Sequence, residues 1–231
     1  LGPSGEPAGP ILRVSKPPGG ATFPAVAPGP RGVLVAWRAA VAGELEVHAR
    51  VLGGGPERRV SGQGPDGDSR FAVGPPAVAA AADGFLVAWA GDTAVPGEDE
   101  VYVRRLAWDG APAAGPEQAT DTGSAGDPEA AALGPRIACG TPGCLLAWWG
   151  DPELPPLEPD EAEVFVRVLE PGRSGELRLS SAGPDGEYLF AALDPAVAAG
   201  RRGWLVAWKA DEPGSPLAND EFEVYARAVT R

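Results

Sequence analysis

The chain alternates short apolar runs with polar and Gly-rich stretches, and one apolar run recurs four times. The run "GVLVAW" at 32–37 returns as "GFLVAW" at 84–89, "GCLLAW" at 143–148 and "GWLVAW" at 203–208. Each copy closes a longer frame that starts with another apolar segment and a Gly-containing turn, as in "PAVAAAADGFLVAW" at 76–89. Such a frame predicts two short antiparallel strands joined by a tight turn.

A third predicted strand follows each frame and alternates strictly. Its copies are "EVHARVL" (46–52), "EVYVRRL" (100–106), "EVFVRVL" (163–169) and "EVYARAV" (223–229). Glu, an aromatic residue or His, and Arg share one face, which is the period-two pattern of a strand with two distinct faces. We expect ion pairs or cation–π contacts within that face, repeated in every copy as a structural feature.

A fourth, weaker strand is predicted at "ILRVS" (11–15), "RRVS" (58–61), "EQAT" (117–120) and "LRLS" (177–180). The first copy precedes every other element, and none follows the last third strand. Four units of four antiparallel strands predict an all-β fold, a four-bladed β-propeller, with the ring closed by residues 11–15 pairing with residues 223–229. The inner strands carry Ala, which suits a narrow axis, except for Arg136. A pair of β-sandwiches with two copies each is the alternative.

Length and charge restrict the function classes. The chain has 231 residues, of which 44% are hydrophobic, so we expect one domain over 11–231 after a Gly- and Pro-rich linker at 1–10. Because the chain starts at Leu1, it is interpreted as a mature or excised domain. The net charge of −13 disfavours nucleic acid as a partner. No run approaches the roughly 20 apolar residues of a membrane span, so membrane insertion is not expected.

The two cysteines, Cys139 and Cys144, flank "GTPG" in the third frame. A zinc site needs about four ligands, and the only histidine, His48, is distant in sequence. We therefore expect a disulfide across a hairpin and an oxidising compartment, with two reduced, packed cysteines as the alternative.

The stretch "LVAW…EVYVRRLAWDG" resembles a bacterial repeat family that carries LVVW-x-D followed by D-I-Y-x-x-R and a Gly turn. The resemblance covers residues 11–231 and implies an extracytoplasmic, propeller-like array. The family places its acidic residue two positions after the Trp, whereas Asp92, Asp151 and Asp211 stand three positions after it here. In blade number alone, the predicted ring is similar to the haemopexin-type propeller.

Two kinds of side chain are candidates for ligand binding. We expect the four repeated Trp residues to pack between blades. Trp108, Trp149 and Trp204 each occur in one copy and are expected to be more exposed, where they could stack on sugars. Acidic loops between the second and third strands should converge on one face; their candidate residues are Asp92, Glu98, Asp99, Asp151, Asp160, Asp211 and Asp220. That face is a solvated surface, a docking surface for a cationic partner, or a Ca²⁺ site at Asp151 and Asp211.

With one histidine and two paired cysteines, the chain offers no Ser–His–Asp or Cys–His arrangement. The sequence therefore predicts an extracytoplasmic, non-catalytic binding or structural module with a protein or glycan partner. A lectin-like propeller is the first alternative. A glycoside hydrolase using two carboxylates is the second.

Overall fold

A computed structural model shows four antiparallel sheets arranged as the blades of a β-propeller. It describes residues 9–16, 20–123, 126–152, 156–157, 160–170, 172, 174–187, 189–211 and 221–230. Blade 1 contains β1 (Ala21–Gly29), β2 (Gly32–Val41), β3 (Glu44–Leu52) and β4 (Arg58–Arg59). Blade 2 contains β5 (Ala77–Ala80), β6 (Phe85–Asp92), β7 (Asp99–Leu106) and β8 (Glu117–Gln118). Blade 3 contains β9 (Ala131–Gly140), β10 (Gly143–Asp151), β11 (Glu163–Glu170) and β12 (Leu177–Arg178). Blade 4 contains β13 (Ala192–Ala199), β14 (Gly203–Ala210) and β15 (Glu223–Thr230). The described residues form no helix that could cross a membrane.

The repeated Trp residues pack as the sequence predicts. Trp89 lies in a cluster with Val47 and Val60 of blade 1, and Trp208 lies in a cluster with Val164 of blade 3. Each repeated Trp also stacks on the aromatic or His ring opposite it on the third strand, with ring centroids 5.9–6.5 Å apart. In blades 2, 3 and 4, the repeated Trp therefore packs the blade against the one before it.

The arginines of the third strands also join neighbouring blades. Arg104 donates from Nη1 to the carbonyl oxygen of Val60 at 2.7 Å, in the outer strand region of the preceding blade. Arg227 donates to Leu179 in the same way at 3.1 Å, and Arg167 donates to Ala119. These contacts run between blades, whereas the alternating pattern led us to expect ion pairs or cation–π contacts within one strand face.

The third-strand glutamates hold the outer strand of their own blade. Ser180 donates to the Glu163 carboxylate and accepts the Val164 backbone N–H at 2.7 Å. Ser61 with Glu46, and Thr120 with Glu100, make the same arrangement in blades 1 and 2. Because these groups are buried, each hydrogen bond also satisfies a polar atom that would otherwise be costly.

The ring closure predicted from the sequence is not seen as strand pairing. In the part of the chain that the structure describes, β15 pairs with β14 alone. Residues 9–16 run beside blade 1, where the Lys16 backbone N–H donates to Glu57 Oε2 at 2.9 Å. The seam between blades 4 and 1 is correspondingly open: Leu205 is 52% exposed, whereas its counterpart Leu34 is 0% exposed.

The predicted disulfide is confirmed. Cys139 and Cys144 are directly opposite in the β9–β10 hairpin and are bonded to each other. A disulfide is typical of proteins from oxidising compartments.

Candidate functional site at the axial mouth

Convergence of the acidic loop residues on one face stays a prediction, but several of the described carboxylates accept hydrogen bonds from the backbone. Asp92 accepts backbone N–H bonds from Ala72 and Gly97. Asp151 accepts one from Asp160, and Glu98 accepts one from Gly126 at 2.6 Å. These three carboxylates are buried and accept from their own loops and from the connections between blades, so they stabilise the loops at this end of the blades.

The structure brings only some of the predicted acidic residues together. Asp92 and Asp99 are opposite each other on β6 and β7, and burial together with the Asp92 carboxylate raises the pKa of Asp99 to about 6. Asp151 and Asp211 end strands of different blades, and Asp220 lies outside the described residues. No three potential metal-ligating side chains of the described residues form a group that could hold a metal ion. Calcium at Asp151 and Asp211 stays a prediction.

The single-copy Trp residues differ in accessibility from what was expected. Trp204 is 2% exposed and donates from Nε1 to the Ala138 carbonyl at 3.2 Å, so it packs between blades 3 and 4. Its larger ring fills space that smaller side chains leave at this interface. Trp108 packs edge-on against Phe85, with centroids 4.9 Å apart. Trp149 remains partly exposed.

An open cavity of about 440 Å³ lies where the inner strands begin, and all four blades line it. Its wall includes Phe23 and Ala25 of blade 1, Pro75 of blade 2, Arg136 of blade 3 and Ala196 of blade 4. Arg136 occupies the position of Ala25 and Ala196 in the repeat. The sequence marked it as the exception among the inner-strand alanines, and the structure places it, exposed, in the wall of this cavity.

A left-handed backbone position precedes the Pro of the inner strand in three blades, and in blades 1 and 4 a residue with a side chain occupies it. Phe23, Gly134 and Asp194 each precede a Pro at the start of an inner strand and have φ values of 52°, 58° and 52°. Left-handed φ is uncommon for any residue with a side chain and is costly for one as bulky as Phe. Strain of this kind persists only where surrounding structure imposes it, and it is concentrated at functional sites.

Each pre-Pro position lies next to the residue that follows the repeated Trp. The Arg38 guanidinium lies 4.7 Å from the centre of the Phe23 ring. Lys209 Nζ lies 2.8 Å from Asp194 Oδ2. A Cβ at Gly134 would lie 2.7 Å from Trp149 Nε1, so this indole covers Gly134 directly.

The position before the inner-strand Pro and the position after the repeated Trp each carry a different residue in every blade, although the neighbouring "LVAW" pattern hardly varies. The pre-Pro residues are Phe23, Pro75, Gly134 and Asp194, and the post-Trp residues are Arg38, Ala90, Trp149 and Lys209. In a fold built from repeats, residues that recur in every blade serve packing. A binding site on the axis needs side chains that differ from blade to blade, because one ligand presents different groups to each side. We therefore assign the candidate site to this mouth of the channel. Sequence reasoning missed Phe23, Asp194, Arg38 and Lys209, although the differences between copies were a usable signal.

Comparisons with known proteins agree with the fold. No protein-family model matches the chain, and no curated protein matches it. Among solved structures, it is similar to a thermostable family-43 glycoside hydrolase, with a TM-score of 0.53 and 12% identity over 90% of this chain and 71% of the other. An α-L-arabinofuranosidase from Lactobacillus brevis gives 0.54 and 12% over 91% and 68%. The GH93 α-L-arabinofuranosidase of Fusarium graminearum gives 0.50 and 14% over 90% and 62%.

These neighbours correct one expectation from the sequence. The chain was predicted to be a non-catalytic module, yet the structures that share its fold are named as glycoside hydrolases. The prediction that it is not an enzyme is contradicted by these neighbours. At identities of 12–14%, the likeness establishes the β-propeller fold and leaves substrate and residues to be argued from this chain.

Proposed function

We propose that the protein is a glycoside hydrolase of the β-propeller type that takes a glycan at the axial mouth. The observation that carries the proposal is the mouth itself, where an open cavity meets four blades that differ at two adjacent positions. The likeness to propeller glycosidases supports the reaction class. The disulfide supports an extracytoplasmic location, where polymeric glycans are encountered.

Glycoside hydrolysis needs two carboxyl groups on either side of the scissile bond. Asp194 is the best placed of the described carboxylates, because it stands two residues before Ala196 of the cavity wall, is 64% exposed and is held by Lys209. Its ion pair fits a role as base or nucleophile, which must be ionised, better than a role as acid. The second group is expected from the acidic loops at 91–100, 150–163 and 211–223. The second strands, which lead into these loops, end beside the start of the inner strands. In blade 4, Ala210 at the end of β14 pairs with Ala192 at the start of β13.

Aromatic side chains at the mouth suit a sugar ring. Phe23 is half-exposed in the cavity wall, and Trp149 is partly exposed beside Gly134. Aromatic rings present a flat apolar face on which the apolar face of a sugar can stack, and a polar rim fixes orientation. Trp149 thus keeps the glycan-binding role predicted for it.

Hydrolysis of aryl glycosides and of plant and bacterial polysaccharides by the purified protein tests the proposal. We expect Asp194→Asn to abolish turnover while the melting temperature stays near that of the parent. Asp83→Asn is the matched control, since Asp83 is an exposed carboxylate ion-paired with Arg105 at the opposite end of β5. Glycan binding without turnover would replace the hydrolase proposal with a lectin-like function. The absence of both glycan binding and turnover would overturn the proposal altogether.

A further inference from the structure

Arg136 is a cation in the cavity wall that faces no carboxylate among the described residues. Its guanidinium donates to the carbonyl oxygens of Pro135 at 2.9 Å and Gly134 at 3.5 Å, both in its own strand. Arg59 and Arg178, by contrast, are ion-paired with Glu46 and Glu163. Arg136 is thus an exposed guanidinium in the cavity wall whose hydrogen-bond acceptors in the described chain are carbonyl oxygens.

A second arginine stands at the same mouth with no carboxylate partner in the described part of the chain. Arg38 stacks on Phe23 and donates from Nη1 to the Val73 carbonyl at 3.4 Å. Its Nε is buried and has no hydrogen-bond partner in the part of the chain that the structure describes. The strained backbone of Phe23 holds the ring that supports this guanidinium. Arg136 thus lines the cavity itself, and Arg38 adjoins its wall through Phe23.

We propose that the axial mouth recognises a saccharide that carries a carboxylate, such as a uronic acid or a sialic acid. This inference rests on the proposed function, because it takes the axial mouth as the glycan site. A guanidinium binds a carboxylate through two parallel hydrogen bonds, with a geometry that a neutral hydroxyl or an ester does not match. The sugar ring then contacts the stacked Phe23 and the partly exposed Trp149. Its carboxylate binds Arg136 and Arg38.

At long range, the net charge of the rest of the protein works against an anionic ligand. A net charge of −13 repels anions in general, so a bound anionic glycan must be held by local contacts. Long-range repulsion is screened beyond roughly 8–10 Å at ordinary ionic strength, whereas a direct arginine–carboxylate contact is much less affected. The buried acidic loop residues are occupied by backbone N–H groups, which reduces their competition for the two arginines.

Calorimetric titration with matched glycans tests the inference without relying on turnover. The probes are an oligogalacturonide and sialyllactose, each with its methyl ester, so each pair differs only in the charge of the carboxyl group and the two acids distinguish the sugar. We expect one acid to bind roughly ten- to hundredfold more tightly than its neutral counterpart, as for a hydrogen bond to a charged group. Arg136→Gln should remove that preference. Arg31→Gln, which changes an exposed arginine at the other end of β1, should keep it.

The outcomes separate this inference from the hydrolase proposal. One outcome is hydrolysis that depends on Asp194 but shows no preference for acidic glycans and no effect of Arg136→Gln. This outcome would overturn the inference and support the hydrolase proposal. Arg136-dependent binding of an acid without turnover would support the inference and overturn the hydrolase. Equal binding of acid and ester by the parent protein would show that the carboxylate is not recognised. Arg38→Gln is the second variant, and it should weaken the same preference.

Discussion

Arg50 donates from Nη1 to the carbonyl oxygen of Val14 at 3.4 Å. In other blades, the equivalent arginine contacts the outer-strand region of the preceding blade: Arg104 contacts Val60, and Arg227 contacts Leu179. The N-terminal segment therefore lies in the position that an outer strand occupies beside those blades. Val14 therefore stands where the outer strand of a blade preceding blade 1 belongs. In a closed ring that blade is blade 4, which lacks an outer strand of its own.

We predict that residues 11–15 pair with β15 in the register of the other blades. Arg59 is opposite His48, and Arg178 is opposite Phe165, so Arg13 should be opposite Tyr225 and Leu12 opposite Ala226. A Leu12→Cys, Ala226→Cys variant should form a new disulfide on oxidation, detected by thiol counting and peptide mapping. The control pair Leu12→Cys, Val229→Cys is offset by about 10 Å along the strand and should remain reduced.

Removal of residues 1–16 gives a second test of closure. The truncated protein should melt at a lower temperature and aggregate, because it exposes the edge of β15 and removes the acceptor of Arg50. A truncated chain that melts like the parent, or equal disulfide formation by both cysteine pairs, would contradict the predicted register.

Ser180→Ala should destabilise the protein by about 1–3 kcal/mol, since it leaves the buried Val164 N–H without an acceptor and removes one of the hydrogen bonds to the Glu163 carboxylate. Urea unfolding at pH 7 measures the change. The neighbouring Ser181→Ala alters an exposed side chain and should have an effect within about 0.5 kcal/mol. Equal effects of the two substitutions would show that the serine–glutamate contact does not hold the outer strand.

Much of the fold could be predicted because it is repeated. Strand order, hairpin turns and interface packing are each indicated four times, by the frames that end at Trp37, Trp89, Trp148 and Trp208. A local exception in one copy therefore does not change the prediction. The hairpin disulfide followed from the same alignment, since Cys139 and Cys144 occupy opposite positions in the frame. Closure was harder, because it depends on one contact between distant parts of the chain.

The site was harder to predict because residue type does not reveal orientation. Asp92 and Asp151 look like surface carboxylates in the sequence, yet backbone N–H groups turn them into loop-stabilising residues. Trp204 is a single-copy aromatic residue, yet it is buried against Ala138. The pre-Pro position differs in every blade, and two of the residues that occupy it, Phe23 and Pro75, line the axial cavity.

The Cys139–Cys144 disulfide should contribute modestly to stability. It closes a short loop, with a sequence separation of 5, so the loss of loop entropy is small and the stabilisation should be at or below about 3 kcal/mol. A Cys139→Ala, Cys144→Val variant carries residues found at these positions in other blades and should fold with a slightly lower melting temperature. Failure of this variant to fold would show that blade 3 depends on the covalent bond.

Asp99 should make the protein less stable as the pH rises from about 4 to 6. Its pKa is raised from 3.8 to about 6 by burial and by the Asp92 carboxylate, so the folded state holds a proton that the unfolded state has lost. In that interval the folded state binds more protons, and linkage requires the free energy of unfolding to fall with pH and to level off above about 6. The stability present at pH 4 is thus partly lost at pH 7, by about 1–3 kcal/mol.

Asp99→Asn removes the charge and should recover that stability at pH 7, with little effect at pH 4. The measurement is urea unfolding of the parent and the variant at several pH values from 4 to 8. Asp109→Asn is the control, because Asp109 is exposed on a turn and lies at the far end of the same blade. Glu100, whose pKa burial also raises to about 6, retains its own titration in both variants, so some decline with pH should remain. An Asp99→Asn variant that is less stable than the parent at pH 7 would show that the carboxylate is stabilised in the folded protein, contrary to its burial beside Asp92.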